Sequence, residues 1–246
     1  MADGVGLSQG VELTSEEEIK EYLNNLGIEY RFGCYSEKNP KACQLLGEFM
    51  ESISRETSKA FQVYETNCID NNFGASCNKA GHYKIVGHGD VEADPDLGYK
   101  YLVKGCEADF SKSCFLAGMF HKLKLPQKIT TEQNVKTATK MFERGCELDH
   151  PSSCQFYANN LMQPGVDQNF QKAAEIFEKA CNMGAYPACH NLSVMYRKGE
   201  GVAQDSAMAD KFMNQAQSIH EQIIKEKERV KFQEGVETAG SAPLKH

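Results

Sequence analysis

Ten cysteines and seven histidines are the residues of this 246-residue chain that could hold a metal, cycle electrons or staple the backbone. The cysteines fall into five close pairs: Cys34 with Cys43 and Cys68 with Cys77 as C-x8-C, then Cys106 with Cys114, Cys146 with Cys154 and Cys181 with Cys189 as C-x7-C. Structural zinc sites use C-x2-C or C-x4-C spacing and thioredoxin-like centres use C-x-x-C, and neither pattern occurs in the chain. Seven or eight intervening residues overrun one face of a helix, and a turn signal interrupts each interval, so each pair spans a junction between two helices. Antiparallel chains there approach the ~5.5 Å Cα separation of a disulfide. A staple at every junction is the favoured use of the ten; reduced buried thiols, a metal site and a redox-active pair are the alternatives.

Other chemistry is sparse. Ser76-Cys77-Asn78-Lys79 matches S-x-x-K, but its S-D-N and K-T-G partners are absent, as are H-E-x-x-H, the P-loop and G-x-S-x-G. Asn191-Leu192-Ser193 reads as a glycosylation sequon inside an expected helix and is discounted. Haem iron can be held by His with His or by His with Met, and His121 is the candidate ligand. It ends a helix in mid-array, where AGMFH could aim the imidazole toward a groove. The competing assignment is a histidine favoured at a helix C-terminus by the dipole. With no C-x-x-C-H motif, covalent c-type haem is excluded, and the reading is that no cofactor is required, with haem as a candidate.

The elements that position these residues follow from the cysteines used as a ruler. First cysteines lie 34, 38, 40 and 35 residues apart, the length of a two-helix repeat. Each copy carries an apolar stripe at spacings of three and four, a cysteine, a turn and a second stripe, as in AAEIFEKACNMGAYPACHNLSVMY. Helices are expected near 40–53, 74–86, 111–123, 152–162 and 187–197, alternating with helices near 56–69, 96–108, 132–148, 169–182 and 205–228. A capping-box pattern at Thr14-Ser15-Glu16-Glu17 opens a further helix near 15–26. Amphipathic pairs of this kind stack into an all-α solenoid with a concave face. The expected organisation is a disordered 1–13, one repeat array over 14–230 and a disordered tail over 231–246. The aromatics and methionines Phe49, Met50, Tyr83, Phe115, Met119, Tyr157, Met162 and Tyr196 are assigned mainly to the core. The charged stretch HEQIIKEKERVKF is read as a polar terminal cap rather than a docking helix.

Composition excludes whole classes. The net charge is −7 and no basic stripe is interleaved with aromatics, so nucleic acid is not an expected partner. No apolar run approaches the ~18 residues of a membrane span. The first residues, MADGVGLSQGVELTSEEE, lack both a signal-peptide apolar region and a transit peptide's arginines. Paired cysteines nevertheless call for an oxidising compartment, and the mitochondrial intermembrane space is the expectation that satisfies both observations.

The unit CHNLSVMYRKGEGVAQDSAMADKFMNQA, with Gly199 and Gly201 in a G-x-G-V turn and Asp205 before the next helix, resembles a Sel-like repeat, a cysteine-rich branch of tetratricopeptide-like repeats. Residues 87–95 and 124–131 depart from that turn. The whole arrangement over roughly 15–230 resembles the animal cytochrome c oxidase assembly factor 7 family. The resemblance implies a right-handed α/α superhelix of about five repeats that assists assembly of respiratory complex IV in the intermembrane space. It also implies partners among cytochrome c oxidase subunits or other assembly factors, with the oxidative import machinery of that compartment. A monomeric binding protein, not an enzyme, is expected. The rival is a haem-binding thiol–disulfide oxidoreductase in which one cysteine pair cycles.

Overall fold

The computed structural model describes residues 15–123, 131–164 and 168–239. Among them are eleven helices: α1 Glu16–Tyr35, α2 Pro40–Ser52, α3 Thr57–Asn71, α4 Gly74–Val86, α5 Pro95–Glu107, α6 Ser111–Lys122, α7 Thr131–Glu147, α8 Pro151–Leu161, α9 Phe170–Asn182, α10 Tyr186–Lys198 and α11 Ser206–Ala239. The ten expected helices from residue 40 onward are found, nine of them within two residues at each end. The fold is the all-α repeat fold the cysteine period called for.

Local chemistry sets the helix starts. Ser15 Oγ accepts from Glu18 N–H while the Glu18 carboxylate accepts from Ser15 N–H, closing a capping box. Asn39 and Asn169 accept from the first-turn amides of α2 and α9. Pro40 and Pro151 occupy first helical positions, where the missing N–H costs nothing.

Three expectations on extent are corrected. The first helix runs to Tyr35, not to residue 26, because Gly27 and Gly33 let it approach α2 closely. A Cβ on Gly27 would lie 2.9 Å from the Phe49 ring, and one on Gly33 2.8 Å from Ala42 Cβ. Thus α1 carries Cys34 and is the first half of the first cysteine-linked pair. At the other end α11 continues to Ala239, so residues 231–239, expected as disordered tail, are helical. Lys231, Gln233, Glu234, Glu237 and Ala239 supply five good helix formers among those nine residues. An Arg229–Glu226 pair spans one turn before it. Residues 1–13 and 240–246 lie outside the described residues.

The third correction concerns the single array. The chain divides into two compact units, 1–98 and 99–246. The division falls beside the irregular connection 87–94, which holds an isolated bridge between His88 and Val91 in place of a G-x-G-V turn. In the first unit α1 packs on α2, α2 on α3 and α3 on α4. Its core centres on Leu46, Ala60, Tyr64, Ala80 and Tyr83, each at most 1% exposed. In the second unit α6 through α11 pack in sequence around Phe142, Phe177, Leu192, Met195 and Phe212. Neither stripe of a repeat is buried without its neighbours, which is why the fold needs several copies.

Candidate functional site

The five cysteine pairs sit where the sequence placed them, each joining the last turn of one helix to the first turn of the next. Cα separations are 4.5 Å for Cys34–Cys43, 4.6 Å for Cys68–Cys77 and Cys106–Cys114, 4.4 Å for Cys146–Cys154 and 4.7 Å for Cys181–Cys189, all bridged. No cysteine of the ten is left over. None is more than 6% exposed.

Two features of the junction went unread in the sequence. The first is a left-handed residue inside every cysteine loop: Lys38, Asn72, Asp109, Asp149 and Gly184, with φ of 55, 50, 58, 56 and 88°. In the C-x7-C copies this residue's N–H donates to the carbonyl of the first cysteine at 2.9–3.1 Å. The next N–H donates to the carbonyl before that cysteine, from Phe110 to Gly105, His150 to Gly145 and Ala185 to Ala180, each at 3.0 Å. This paired pattern terminates a helix by satisfying its last carbonyls. In the C-x8-C copies the corresponding bonds, Asn39 to Gly33 and Phe73 to Asn67, close a turn longer by one residue. The spacing difference between the two classes of pair is therefore one residue of turn, with the same termination. Asn, Asp and Gly at four of the five positions were the available signal.

The second feature is a small residue before the first cysteine of four of the five pairs, Gly33, Gly105, Gly145 and Ala180. Gly33 faces Ala42 and Gly145 faces Ser153, where a Cβ on Gly145 would come within 2.4 Å of Ser153 Oγ. In the second copy Asn67 replaces the glycine and makes the contact polar. Its Nδ2 donates to Ser76 Oγ at 2.7 Å, and Ser76 Oγ donates to Gln44 Oε1 at 2.6 Å. Ser76 is fully buried, and Lys79 reaches away to Glu51 at 2.6 Å. The S-x-x-K match is thus a packing network with no nucleophile at a surface. Burial alone would raise the Glu51 carboxyl, but Lys79 and the Tyr64 hydroxyl hold it below the usual carboxylate range. Glu143, Tyr157 and Lys172 repeat that Glu–Tyr–Lys cluster in the second unit.

The structure places His121, the candidate haem ligand, inside the second unit. It is 3% exposed, with Nδ1 2.8 Å from Asn134 Oδ1 and Nε2 2.8 Å from Tyr99 Oη. Both ring nitrogens are engaged, so no lone pair faces open space, and the adjoining cavity of about 140 Å³ is small. The residue sits in the last turn of α6 but is buried rather than partly exposed as the dipole assignment required. His150 caps α8, its Nδ1 accepting from Ser153 N–H at 3.2 Å. Burial, and then the Lys112 charge, hold its imidazole below the ordinary histidine value. His88 packs edge-on against Tyr83, His220 lies against Tyr186, and His82 and His190 are on the surface. His246 lies outside the described residues. Among the described residues no cluster of three His, Cys, Asp or Glu could hold a metal. Asn191 of the sequon donates to Asn159 at 3.0 Å, and Ser193 is fully buried.

Of the eight aromatics and methionines assigned to the core, Met50, Tyr83 and Tyr157 are buried and the other five are half-buried. Each unit also has a recess. The first unit's, about 530 Å³, is lined by the Cys34–Cys43 bridge, Lys38, Met50, Lys59, Val63 and Asp70. One in the second unit, about 300 Å³, lies between α10 and α11 beside Tyr186, His190, Met213 and His220. Along α11, Ala209, Phe212 and Ala216 are buried, while Lys225 through Arg229 are all exposed, as a polar terminal cap requires.

The Sel1 repeat pattern matches residues 74–110, 151–184 and 187–216. In three dimensions the chain is similar to a Sel1 repeat protein from Oxalobacter formigenes, at 18% identity, TM-score 0.68, covering 82% of this chain and 83% of that one. It is also similar to a protective antigen of uropathogenic Escherichia coli with an SLR fold, at 18% identity, TM-score 0.60, covering 82% and 52%. Those two likenesses speak to the fold. In sequence it is 31% identical to a cytochrome c oxidase assembly factor 7 homolog of Drosophila melanogaster, over 92% of this chain and 97% of that one. It is 30% identical to cytochrome c oxidase assembly factor 7 of Homo sapiens, over 86% and 94%. With the repeat grammar, the five bridged junctions and relatives matched nearly end to end, the chain belongs to the cytochrome c oxidase assembly factor 7 family.

Proposed function

We propose that the chain is a non-enzymatic scaffold that assists assembly of respiratory complex IV in the mitochondrial intermembrane space, binding oxidase subunits or other assembly factors on its helical-repeat surface. The observation that carries this reading is the five-fold junction: every cysteine is committed to a bridge beside a left-handed helix stop. A framework of that kind suits an oxidising compartment and a rigid binding surface. The relatives' name supplies the process. Haem has no part in this reading.

The test is deletion of the gene followed by native electrophoresis of respiratory complexes and protease protection in mitochondria with ruptured outer membranes. Loss of assembled complex IV, restored by the wild-type chain, together with protease access only after rupture, is the expected result. Normal complex IV, or protection that survives rupture, would reject the reading.

One observation favours a second reading, thiol–disulfide exchange. The Cys34–Cys43 bridge lines the 530 Å³ recess, with Lys38 and Lys59 beside it. A thiolate of a cysteine-bearing partner could attack one sulfur there, forming a mixed disulfide and expelling the other as a thiolate near a lysine charge. Faster reduction of this pair than of the other four by a monothiol such as glutathione would support it; equal rates would remove it.

A further inference from the structure

Helix α1 is apolar on two sides. One side, with Leu23, Leu26, Gly27, Tyr30 and Cys34 buried or half-buried, packs toward α2. On the opposite side Ile28, Phe32 and Tyr35 are 56, 59 and 53% exposed. At about 100° per residue these three fall within roughly 60° of arc, and Glu17 and Glu21 fall in the same stripe. Both carboxylates are exposed, and neither serves the N-terminal cap, which uses Glu18. The outer stripe therefore reads acidic in its first two turns and apolar in its last two.

Among the described helices α2 is the one that packs closely on α1, and a helix side that no neighbour covers is expected to be polar. The last two turns of α1 break that rule with three large side chains. Scattered exposed apolar residues need no explanation, but a contiguous stripe on one helix marks a contact surface. Its acidic extension says what the contact carries. A second copy of the chain fits poorly: antiparallel pairing of two α1 helices would set Glu17 and Glu21 against Phe32 and Tyr35 and desolvate four carboxylates, while parallel pairing would set acid against acid. Residues 1–13 of the same chain contain Asp3 and Glu12 and no Lys or Arg, so they carry the wrong sign.

We propose that the outer face of α1 docks a cationic amphipathic helix of a partner protein, with the partner's apolar residues on Ile28, Phe32 and Tyr35 and its Lys or Arg residues on Glu17 and Glu21. From Glu17 to Tyr35 the stripe is about 27 Å long, so a partner helix of roughly 18 residues spans it. The apolar half supplies affinity, and the acidic half supplies orientation and a salt-sensitive approach.

The experiment titrates the full chain into a fluorescein-labelled 18-residue helical peptide, with leucines along one half of a stripe and arginines along the other, followed by anisotropy at low and physiological salt. A control peptide carries glutamates in place of the arginines. The cationic peptide is expected to bind. Ile28→Ser with Phe32→Ser should weaken binding at least tenfold with an unchanged thermal melt, since both side chains are more than half exposed. Glu17→Gln with Glu21→Gln should weaken it threefold to tenfold at low salt and flatten the salt dependence. Four results would overturn the proposal: no binding of the cationic peptide, equal affinity in the Ile28/Phe32 variant, equally tight binding of the glutamate peptide, or a dimer in sedimentation that Phe32→Ser dissolves. A tenfold gain of affinity on Leu7→Asp with Val11→Asp would also overturn it, by identifying the chain's own first residues as the occupant.

Discussion

Single residues at the junctions carry opposite strains that mutation can separate. A non-glycine residue in the left-handed region costs roughly 1–2 kcal/mol, so Asn72→Gly, at φ 50°, should raise stability by about 0.5–1 kcal/mol in urea unfolding. Gly184→Ala should lower it by about 1 kcal/mol, although space around Gly184 is open, because only its φ of 88° objects. If both changes prove neutral, the shared left-handed stop is not what ends these helices. Gly145→Ala tests the other constraint. Its Cβ would press on Ser153 and Cys114, an overpacking worth about 1–3 kcal/mol. The cysteine pairing was legible at this scale because the spacing overran one helix face and matched neither the usual zinc nor the C-x-x-C redox pattern. The small facing residues were not, since Gly33, Asn67 and Ala180 look unrelated until the backbone places them at one point. The surroundings of His121 were not legible for a related reason: Tyr99 and Asn134, which lie against its ring nitrogens, are 22 and 13 residues away, and no periodicity predicts that meeting.

The elements depend on their caps and staples, and both respond to conditions. The His150 imidazole, lowered by burial and then by Lys112, binds fewer protons in the fold than in the unfolded chain. Its contribution is therefore complete above the unfolded value of ~6.5 and is lost as the pH falls through that value toward the lower folded one. Protonation also removes the Nδ1 lone pair that accepts from Ser153 N–H. His150→Asn keeps a capping acceptor without the titration. Between pH 7 and 5.5 the wild type should lose about 2–4 °C more in Tm than this variant, from a cap worth about 1 kcal/mol. Parallel Tm curves would contradict that role. Each staple closes a short loop, and Cys181→Ala with Cys189→Ala should cost about 2–3 kcal/mol in urea unfolding. Helix positions were legible from period and caps. The ends of α1 and α11 were not, because glycines that permit close packing look like breakers, and a polar run reads alike as tail and as solvated helix.

For the whole molecule, repeats that touch only their neighbours should unfold locally. Removing the Cys68–Cys77 bridge by paired alanine substitution should speed hydrogen exchange in α3 and α4 while leaving α8 to α10 unchanged. Uniform acceleration across both units would mean a single cooperative block. The all-α repeat architecture was readable in the sequence because one residue type marked the period. The division at Gly98 was not: residues 87–95 depart from the G-x-G-V turn in sequence, but 124–131 depart from it too and no division falls there. The central claim, that all ten cysteines are spent on bridges that stiffen the repeat scaffold, is tested most directly by peptide mapping of the chain isolated from its native cells and alkylated under denaturing conditions without reductant. The account predicts five linked peptide pairs, 34–43, 68–77, 106–114, 146–154 and 181–189, and no alkylated cysteine; a substantial fraction of any pair recovered as free thiols, or cross-linked to another pair, would contradict it.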